Sequence, residues 1–172
     1  DAATRSLLYK SIKDATDDFV VISTEVPCAA AAVFTRSRFA GPSVELSRRH
    51  VADGSLRAVV VVSKNANVAT GEAGRADAEE LAAGVAGAIG ADPSDVLVAS
   101  TGVIGRRYPM DRVRSHLARL ATPFPITSAL PVATAMMTTD THPKVAARTV
   151  PTRNDAAGDP ARVVGVAKGV GM

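Results

Sequence analysis

One stretch of small polar residues, residues 100–105, stands at the end of an apolar segment and has residue types suited to acyl chemistry. The Thr101 hydroxyl and the backbone N–H of Gly102 are adjacent donors that could form an oxyanion hole for a reacting carbonyl group. Glycine suits this role because it has no side chain, so its backbone can approach a substrate closely. The alternative is an ordinary turn between a strand and a loop, and composition alone favours that interpretation.

Two further segments could bind a substrate. Residues 138–141 place three threonine hydroxyls, the first on Thr138, around Asp140. They could hold an amine, a carboxylate or an amide, or they could form a helix end and a turn with an Asx-type hydrogen bond. Residues 165–172 surround Lys168 with glycine and apolar residues, at a spacing that matches neither a phosphate loop nor a dinucleotide-binding motif. Lys168 could bind a carboxylate, or it could be a solvated lysine on an edge strand.

The sequence contains no convincing nucleophile or metal site. Its three histidines do not share the spacing of metal ligands, and no serine stands in a Gly-x-Ser-x-Gly motif. The single cysteine, Cys28, rules out an internal disulfide or a thiol cluster for zinc. Its apolar neighbours predict a buried, unreactive thiol. We therefore expect neither a metal nor an organic cofactor.

Composition limits the classes of function. Hydrophobic residues make up 47% of the 172 residues, enough for a sizeable core, and aromatic residues only 3%. The net charge of +3 comes with scattered arginines and no interleaved aromatic residues, which argues against nucleic-acid binding. The sequence shows neither a secretory signal nor an apolar stretch long enough to span a bilayer, so we expect a cytoplasmic protein that binds no membrane.

Apolar periodicity predicts alternating strands and helices, and hence an α/β layered fold. We expect Gly90 to end the first helix as a left-handed cap, and Asp77 to lie at the positive end of that helix dipole. We expect His116 on the polar face of the second helix. Strands are predicted at residues 19–24, 31–35, 44–46, 56–62, 96–100, 144–150 and 162–166, and helices at residues 75–89, 110–120 and 128–137.

Taken together, five motifs of this sequence resemble those of the ornithine acetyltransferases, in the same order and at similar separations. The resemblance runs from about Phe19 to the C-terminus, and residues 1–18 match poorly. The motifs are residues 32–36, residues 65–67 with Thr70 and Gly71, residues 100–105 with Pro109 and Met110, residues 137–141 with Pro143 and Lys144, and residues 165–172.

The resemblance implies a single α/β domain over residues 1–172, the α chain of a precursor that cleaves itself. It implies a helix–sheet–sheet–helix sandwich of the ornithine acetyltransferase and DmpA-like type, completed by a separate β chain. The β chain begins with the threonine nucleophile, whose own α-amine acts as the base. Acetyl then passes from N-acetylornithine to glutamate through an acetyl-threonine intermediate, in an α2β2 or higher heteromer.

The same resemblance assigns roles to four residues of this chain. Thr101 and Gly102 match the family's oxyanion hole, and Thr138 and Lys168 match positions that bind substrate. One departure is Lys64, which replaces a glycine of the family pattern in a loop near the site and bears on the choice of substrate. The sequence also resembles the branch found in clavulanic-acid-type antibiotic pathways more than the branch of arginine biosynthesis.

Three alternatives stay open from the sequence. A self-processed amidohydrolase or aminopeptidase of similar fold would release the acyl group to water. A bifunctional acetyltransferase would also use acetyl-CoA. A non-catalytic binding domain would be complete without a partner chain.

Overall fold

A computed structural model describes residues 8–11, 18–120, 122, 124, 128–151 and 160–169. It contains two short 3-10 helices, Val51–Asp53 and Pro93–Asp95. The strands are β1 (Leu8–Ser11), β2 (Phe19–Ala29), β3 (Ser55–Val62), β4 (Val96–Ser100), β5 (Lys144–Val150) and β6 (Ala161–Ala167). The α-helices are α1 (Pro42–His50), α2 (Gly71–Ile89), α3 (Met110–Leu117) and α4 (Ala129–Met136).

Strand β3 lies inside a four-stranded sheet of order β1-β2-β3-β4. It pairs antiparallel with β2 and parallel with β4, and β1 pairs antiparallel with β2. Its run of four valines ends buried on both faces, which explains why a β-branched apolar segment occupies this inner position. Because β3 and β4 are parallel, the chain leaves both strands at the same edge of the sheet.

Helices α1, α2 and α3 cover one face of the sheet. Alternate residues of the strands point to this face, among them Val21, Val60 and Val98, and they pack against small and branched side chains of α2 such as Leu81 and Val85. The alanines of α2 let the helix lie close to the strands. Helix α2 ends at Gly90, whose φ of 67° gives the left-handed cap that the sequence predicts.

Helix α4 covers the opposite face. Val132 and Ala135 of α4 pack against Val20 and Val61, the strand residues that point away from α1 and α2. On its other side α4 contacts the antiparallel pair of β5 and β6, whose Val166 joins the same cluster. The described chain is therefore layered, with helices, a four-stranded sheet, and then α4 with a two-stranded sheet.

The strand predicted at residues 44–46 is wrong, because these residues lie in helix α1. Pro42 occupies the first turn, where its fixed φ and missing N–H suit a helix start. Glu45 stands in the first turn and Arg48 and Arg49 in the last, so the charges complement the helix dipole. Leu46 is buried against the sheet, while Val44 is only partly buried.

The strand predicted at residues 31–35 is also wrong, since this segment has no regular structure and Val33 is fully exposed. Strand β2 instead continues to Ala29, past a bulge between Ser23 and Cys28. The burial predicted for Cys28 is wrong as well. The residue is exposed, although its thiol lies 3.3 Å from the carbonyl oxygen of Leu56.

Helix α3 turns His116 inward, contrary to the polar face predicted for it. The side chain is 9% exposed, and its ring centroid lies 6.1 Å from that of Phe19 on β2. Within the described ranges, no helix combines the length and the apolar character that a membrane span requires.

Candidate active site

The site begins where β3 and β4 end side by side. The last residues of the two strands, Val62 and Ser100, are paired in the sheet. Beyond them the two chains stay joined, because the Thr101 N–H donates to the carbonyl of Val62 at 3.0 Å. Asn65 then forms isolated β-bridges with both Thr101 and Val103. The predicted oxyanion segment is therefore a continuation of the sheet edge and is held by backbone hydrogen bonds.

Gly102 occupies a position that no other residue could take without moving its neighbours. Its φ is 137°, in the region that favours glycine, and a Cβ there would lie 2.1 Å from the carbonyl carbon of Lys64. The Val103 N–H donates to the carbonyl of Lys64 at 3.2 Å, which fixes the turn directly after Gly102. The backbone of one loop thus packs directly on the backbone of the other.

Two hydrogen-bond donors on this turn have no acceptor within the described ranges of the chain. They are the Thr101 hydroxyl and the Gly102 N–H, on adjacent half-buried residues. Two other backbone donors nearby are used: the Ala66 N–H donates to the carbonyl of Val103, and the Gly105 N–H donates to that of Val68. The arrangement therefore leaves an adjacent pair of donors available to an external oxygen atom.

Two asparagines hold the loop that supports Gly102. Asn65 donates from its side-chain amide to the carbonyl of Arg107 at 2.7 Å, and its side-chain oxygen accepts from the Asn67 N–H at 2.9 Å. Asn67 is completely buried and donates to the carbonyl of Gly74 in α2 at 2.8 Å. Asn67 has a φ of 49°, a left-handed conformation that asparagine tolerates better than most residues.

An ion pair fastens the far side of the turn to helix α2. Arg107 donates to both oxygens of the buried Asp77 carboxylate, at 2.8 and 2.6 Å. This hydrogen bonding raises the pKa of Arg107 above its usual value. The predicted role of Asp77 at the start of the helix is wrong, because α2 begins at Gly71 and Asp77 lies in its second turn.

The second pair of predicted residues meets around Asp140. Its side chain is 1% exposed; it accepts from the Thr138 N–H at 3.3 Å and forms an ion pair with Lys144. The hydrogen bond from Lys144 is the main cause that lowers the pKa of Asp140 below its usual value. A Cβ on Gly169 would lie 2.5 Å from the Asp140 carboxylate, so the residue after Lys168 must be small.

Sheet register explains why Lys168 comes to this turn. Lys144, the first residue of β5, pairs with Ala167, the last residue of β6. Lys168 follows directly and is half-buried, beside the segment that begins at Thr138. Thr138 and Lys168 therefore lie near the same residue. The Thr138 N–H bonds to Asp140, and Gly169, next to Lys168, packs on the Asp140 side chain.

The two pairs are connected through Ser63, the residue after β3. Its hydroxyl donates at 2.5 Å to the carbonyl of Ala135 in the last turn of α4, and Thr138 follows that helix. On its other side Ser63 adjoins Lys64, which packs on Gly102. No hydrogen bond joins Thr138 or Lys168 to Thr101 or Gly102 among the residues described here.

Several supporting residues escaped sequence reasoning. Sequence alone assigned no role to Asn65, Asn67 or Arg107, nor to the hydroxyl groups of Ser43 and Tyr108 behind Ser100. The Asn-Ala-Asn motif was a usable signal, because asparagines at a strand end commonly hold loops through side-chain hydrogen bonds. In the ranges that the structure covers, no three His, Cys, Asp or Glu side chains are grouped closely enough to hold a metal ion.

The chain is similar to proteins of known name. Its residues 5–172 match the ArgJ family. Glutamate N-acetyltransferase Oat2 of Streptomyces clavuligerus is 50% identical over 159 residues, which cover 92% of this chain and 38% of that protein. The arginine biosynthesis bifunctional protein ArgJ 2 of Nostoc sp. is 45% identical over 161 residues, covering 94% of this chain and 40% of the relative. The chain therefore spans about two fifths of the length of these curated relatives.

Two solved structures share the fold. The arginine biosynthesis bifunctional protein argJ of Bacillus halodurans superposes with a TM-score of 0.86 at 32% identity, covering 96% of this chain and 87% of that chain. Ornithine acetyltransferase of Mycobacterium tuberculosis, solved with ornithine, gives a TM-score of 0.78 at 34% identity, covering 90% and 81%. These matches confirm the predicted α/β layered fold and the predicted resemblance. The chain belongs to the ArgJ family.

Proposed function

We propose that this chain is the α subunit of an N-acetyltransferase that moves an acetyl group from N-acetylornithine to glutamate. The observation that carries the proposal is the pair of donors on Thr101 and Gly102 that have no acceptor among the described residues, in a chain 50% identical to a protein named glutamate N-acetyltransferase. Adjacent fixed donors of this kind stabilise the negative oxygen that forms when an acyl carbonyl is attacked.

The chemistry divides into two half-reactions. A threonine hydroxyl at the start of the β chain attacks the acetyl carbonyl carbon of N-acetylornithine, and its α-amine takes the hydroxyl proton. The carbonyl electron pair moves to oxygen, which accepts hydrogen bonds from Thr101 and Gly102. The intermediate collapses as the proton passes to the leaving amine, so ornithine departs and acetyl-threonine remains. Glutamate then attacks the ester with its α-amine and regenerates the threonine.

Thr138 and Lys168 are the proposed substrate-binding residues of this chain. Both substrates carry an α-carboxylate, which a lysine ammonium group binds as a point charge. Lys144 is engaged by Asp140, and this pairing keeps the turn that presents Thr138 in place. Crowding of Gly169 against Asp140 fixes the backbone next to Lys168 in the same way. The Lys64 backbone packs directly on Gly102, which is why this departure from the family pattern bears on substrate choice.

The partner in this proposal is a β chain from the same precursor. The two solved chains are matched over 87% and 81% of their length, whereas the curated relatives are matched over only 38% and 40%. The solved chains are therefore about as long as this chain, whereas the curated relatives are more than twice as long. This difference supports cleavage of a longer precursor. The single domain over residues 1–172, the α2β2 or higher assembly and the cytoplasmic location belong to the same proposal, and so does the antibiotic branch of the family.

The first test is to express the whole precursor, purify the complex and sequence the N-terminus of any partner chain. A partner beginning with threonine is expected, and glutamate should accelerate the release of ornithine from N-acetylornithine. Release of acetate at a rate that glutamate does not change would favour the amidohydrolase alternative. A lone chain without a partner would contradict the proposal and favour a binding domain.

Replacing Thr101 tests the donor pair directly. Thr101→Ala should lower kcat for acetyl transfer by about a hundredfold, the usual effect of losing one oxyanion donor. Thr101→Ser is the matched control, because it keeps the hydroxyl group and should retain most of the activity. Normal turnover by Thr101→Ala would show that this hydroxyl does not bind the oxyanion.

A further inference from the structure

Three hydroxyl groups meet in the protein directly behind the proposed oxyanion turn. The Ser43 oxygen lies 2.9 Å from that of Ser100 and 2.7 Å from that of Tyr108, and the hydroxyls of Ser100 and Tyr108 are also hydrogen-bonded to each other. Ser43 is 2% exposed and Tyr108 is 4% exposed. Three oxygens in mutual contact, each with one proton, are satisfied when each donates to the next around a ring.

The ring joins three separate elements of the fold. Ser43 lies in the first turn of α1, Ser100 is the last residue of β4, and Tyr108 stands just before α3. Residues 101–107 form the loop between Ser100 and Tyr108, and this loop carries both proposed donors. The hydroxyl contact of Ser100 with Tyr108 therefore closes the base of the loop, and Ser43 fixes that closure to the helix layer.

The loop needs such an anchor because the backbone it packs against is not relaxed. Gly102 packs on Lys64, which has a left-handed φ of 67°. Sparsely populated conformations persist only where the surrounding structure holds them firmly. Burial raises the pKa of the Tyr108 hydroxyl, so this group keeps its proton through the neutral range and the ring stays complete.

We propose that Tyr108 is a positioning residue for the transferase, acting through Ser100 to hold Thr101 and Gly102 where both donors reach the acetyl oxygen. The inference rests on the proposed function for its catalytic consequence. Its structural part, that the hydroxyl ring holds the loop, stands on the contacts alone. Displacing catalytic groups by about an ångström is enough to cost up to about a hundredfold in rate.

Tyr108→Phe in the two-chain complex is the direct test. The substitution removes the hydroxyl oxygen of Tyr108 and keeps its aromatic ring. The hydroxyl groups of Ser43 and Ser100 can still form a hydrogen bond with each other. We expect kcat to fall by about tenfold with KM changed less than twofold, because the donors act on the transition state rather than on bound substrate.

Ser47→Ala provides a matched control. Ser47 is also a buried hydroxyl on α1 that bonds to β4, accepting from the Val98 N–H at 2.9 Å and donating to its carbonyl at 2.8 Å. It lies one helical turn away from Ser43 and does not touch the loop. We expect Ser47→Ala to lower Tm at least as much as Tyr108→Phe, with kcat unchanged. Equal losses of kcat in the two variants would overturn the proposal, since general destabilisation would then explain both.

Amide hydrogen exchange gives a readout that does not depend on activity. The N–H groups of Val103 and Gly105 bond to Lys64 and Val68 across the loop, and both should exchange at least tenfold faster in Tyr108→Phe than in the wild type. Unchanged protection of these two N–H groups would overturn the inference, whether or not the complex is active. A wild-type complex without transferase activity would instead refute the proposed function. If Tyr108→Phe does not fold, Ser43→Ala opens the same ring from the helix side and is judged by the same two measurements.

Discussion

Gly102→Ala is the sharpest perturbation that this site offers. The new Cβ would lie 2.1 Å from the carbonyl carbon of Lys64 and 2.5 Å from the nitrogen of Asn65. These are backbone atoms in a loop that is bonded on both sides, so they cannot yield as the tip of a flexible side chain would. The φ of 137° is also unfavourable for alanine. The substitution must therefore move the turn.

The expected cost follows from those contacts. A strained backbone conformation of this kind costs about 1–3 kcal/mol. Moving the turn also weakens the hydrogen bonds between Val103 and its two partners, Lys64 and Ala66, at about 1 kcal/mol each. The total is about 3–5 kcal/mol, and a protein of this size loses about 2–4 °C in Tm for each kcal/mol. Tm should then fall by about 6–20 °C, and acetyl transfer by at least about a hundredfold as the donor moves.

Gly105→Ala is the control in the same loop. Gly105 also has a positive φ, 75°, but a Cβ there would meet no atom within 4 Å. It should cost only the left-handed penalty of about 1 kcal/mol, or about 3 °C in Tm, and leave most of the activity. Both variants would be compared with the wild-type complex by thermal unfolding and by the rate of ornithine release. A Tm for Gly102→Ala within a degree or two of the control, or full activity, would refute the packing argument.

Two further predictions concern charges beside the site. Lys64 has a φ of 67° and forms an ion pair with Asp18 at 2.7 Å. Lys64→Gly and Lys64→Ala both remove the ion pair. Only glycine also relieves the strain of the left-handed backbone. The glycine variant should therefore be more stable than the alanine variant by about 1 kcal/mol, and equal Tm values would contradict this. Because the pKa of Asp140 is lowered, its stabilising contribution is present above its usual value of 3.8 and is lost as the pH falls through the lower folded value. The Tm difference between wild type and Asp140→Asn should thus shrink below about pH 4, and a difference that stays constant down to pH 2 would show that Asp140 does not titrate as described.

Strong periodicity made part of the fold predictable. The valine run of β3 predicts a strand, and the repeat of Leu81, Val85 and Ile89 predicts a helix. Both elements are present, although α2 begins at Gly71 rather than at residue 75. Helix α1 was not predicted, since the sequence analysis assigns a short strand to residues 44–46. The better signal was the order of Pro, acidic and basic residues along the segment, which matches a helix start and end.

Burial was harder to predict than secondary structure. Cys28 has apolar neighbours in sequence but is exposed, because the last five residues of β2, residues 25–29, lie at the surface. His116 has polar neighbours but is buried, because α3 packs that side against Phe19. Asp77 is buried because it forms an ion pair with Arg107, 30 residues further along the chain. For His116 and Asp77 the deciding contact is made by a residue distant in sequence, which local patterns do not report.

The candidate site was likewise predictable only where the evidence is local in sequence. Thr101, Gly102, Thr138 and Lys168 stand in local motifs, so residue types and resemblance were enough to nominate them. The hydroxyl ring joins Ser43 to residues 57 and 65 positions further along the chain. No local pattern indicates that such residues meet. What the sequence could not predict is therefore the support behind the donors rather than the donors themselves.

That support bears on the choice that the sequence left open, between an oxyanion hole and an ordinary turn. An ordinary turn needs only to reverse the chain, and it tolerates movement. Stabilising a developing charge requires donors that are fixed before the reaction, since reorganisation during it would cost part of the gain. Around Gly102 the constraints are redundant: the bridge through Asn65, the ion pair of Arg107 and the ring at Tyr108 all hold one short loop. So much restraint on a loop that leaves the Thr101 hydroxyl and the Gly102 N–H without an acceptor among the described residues is expected of a binding site for an oxyanion and has no purpose in a simple turn.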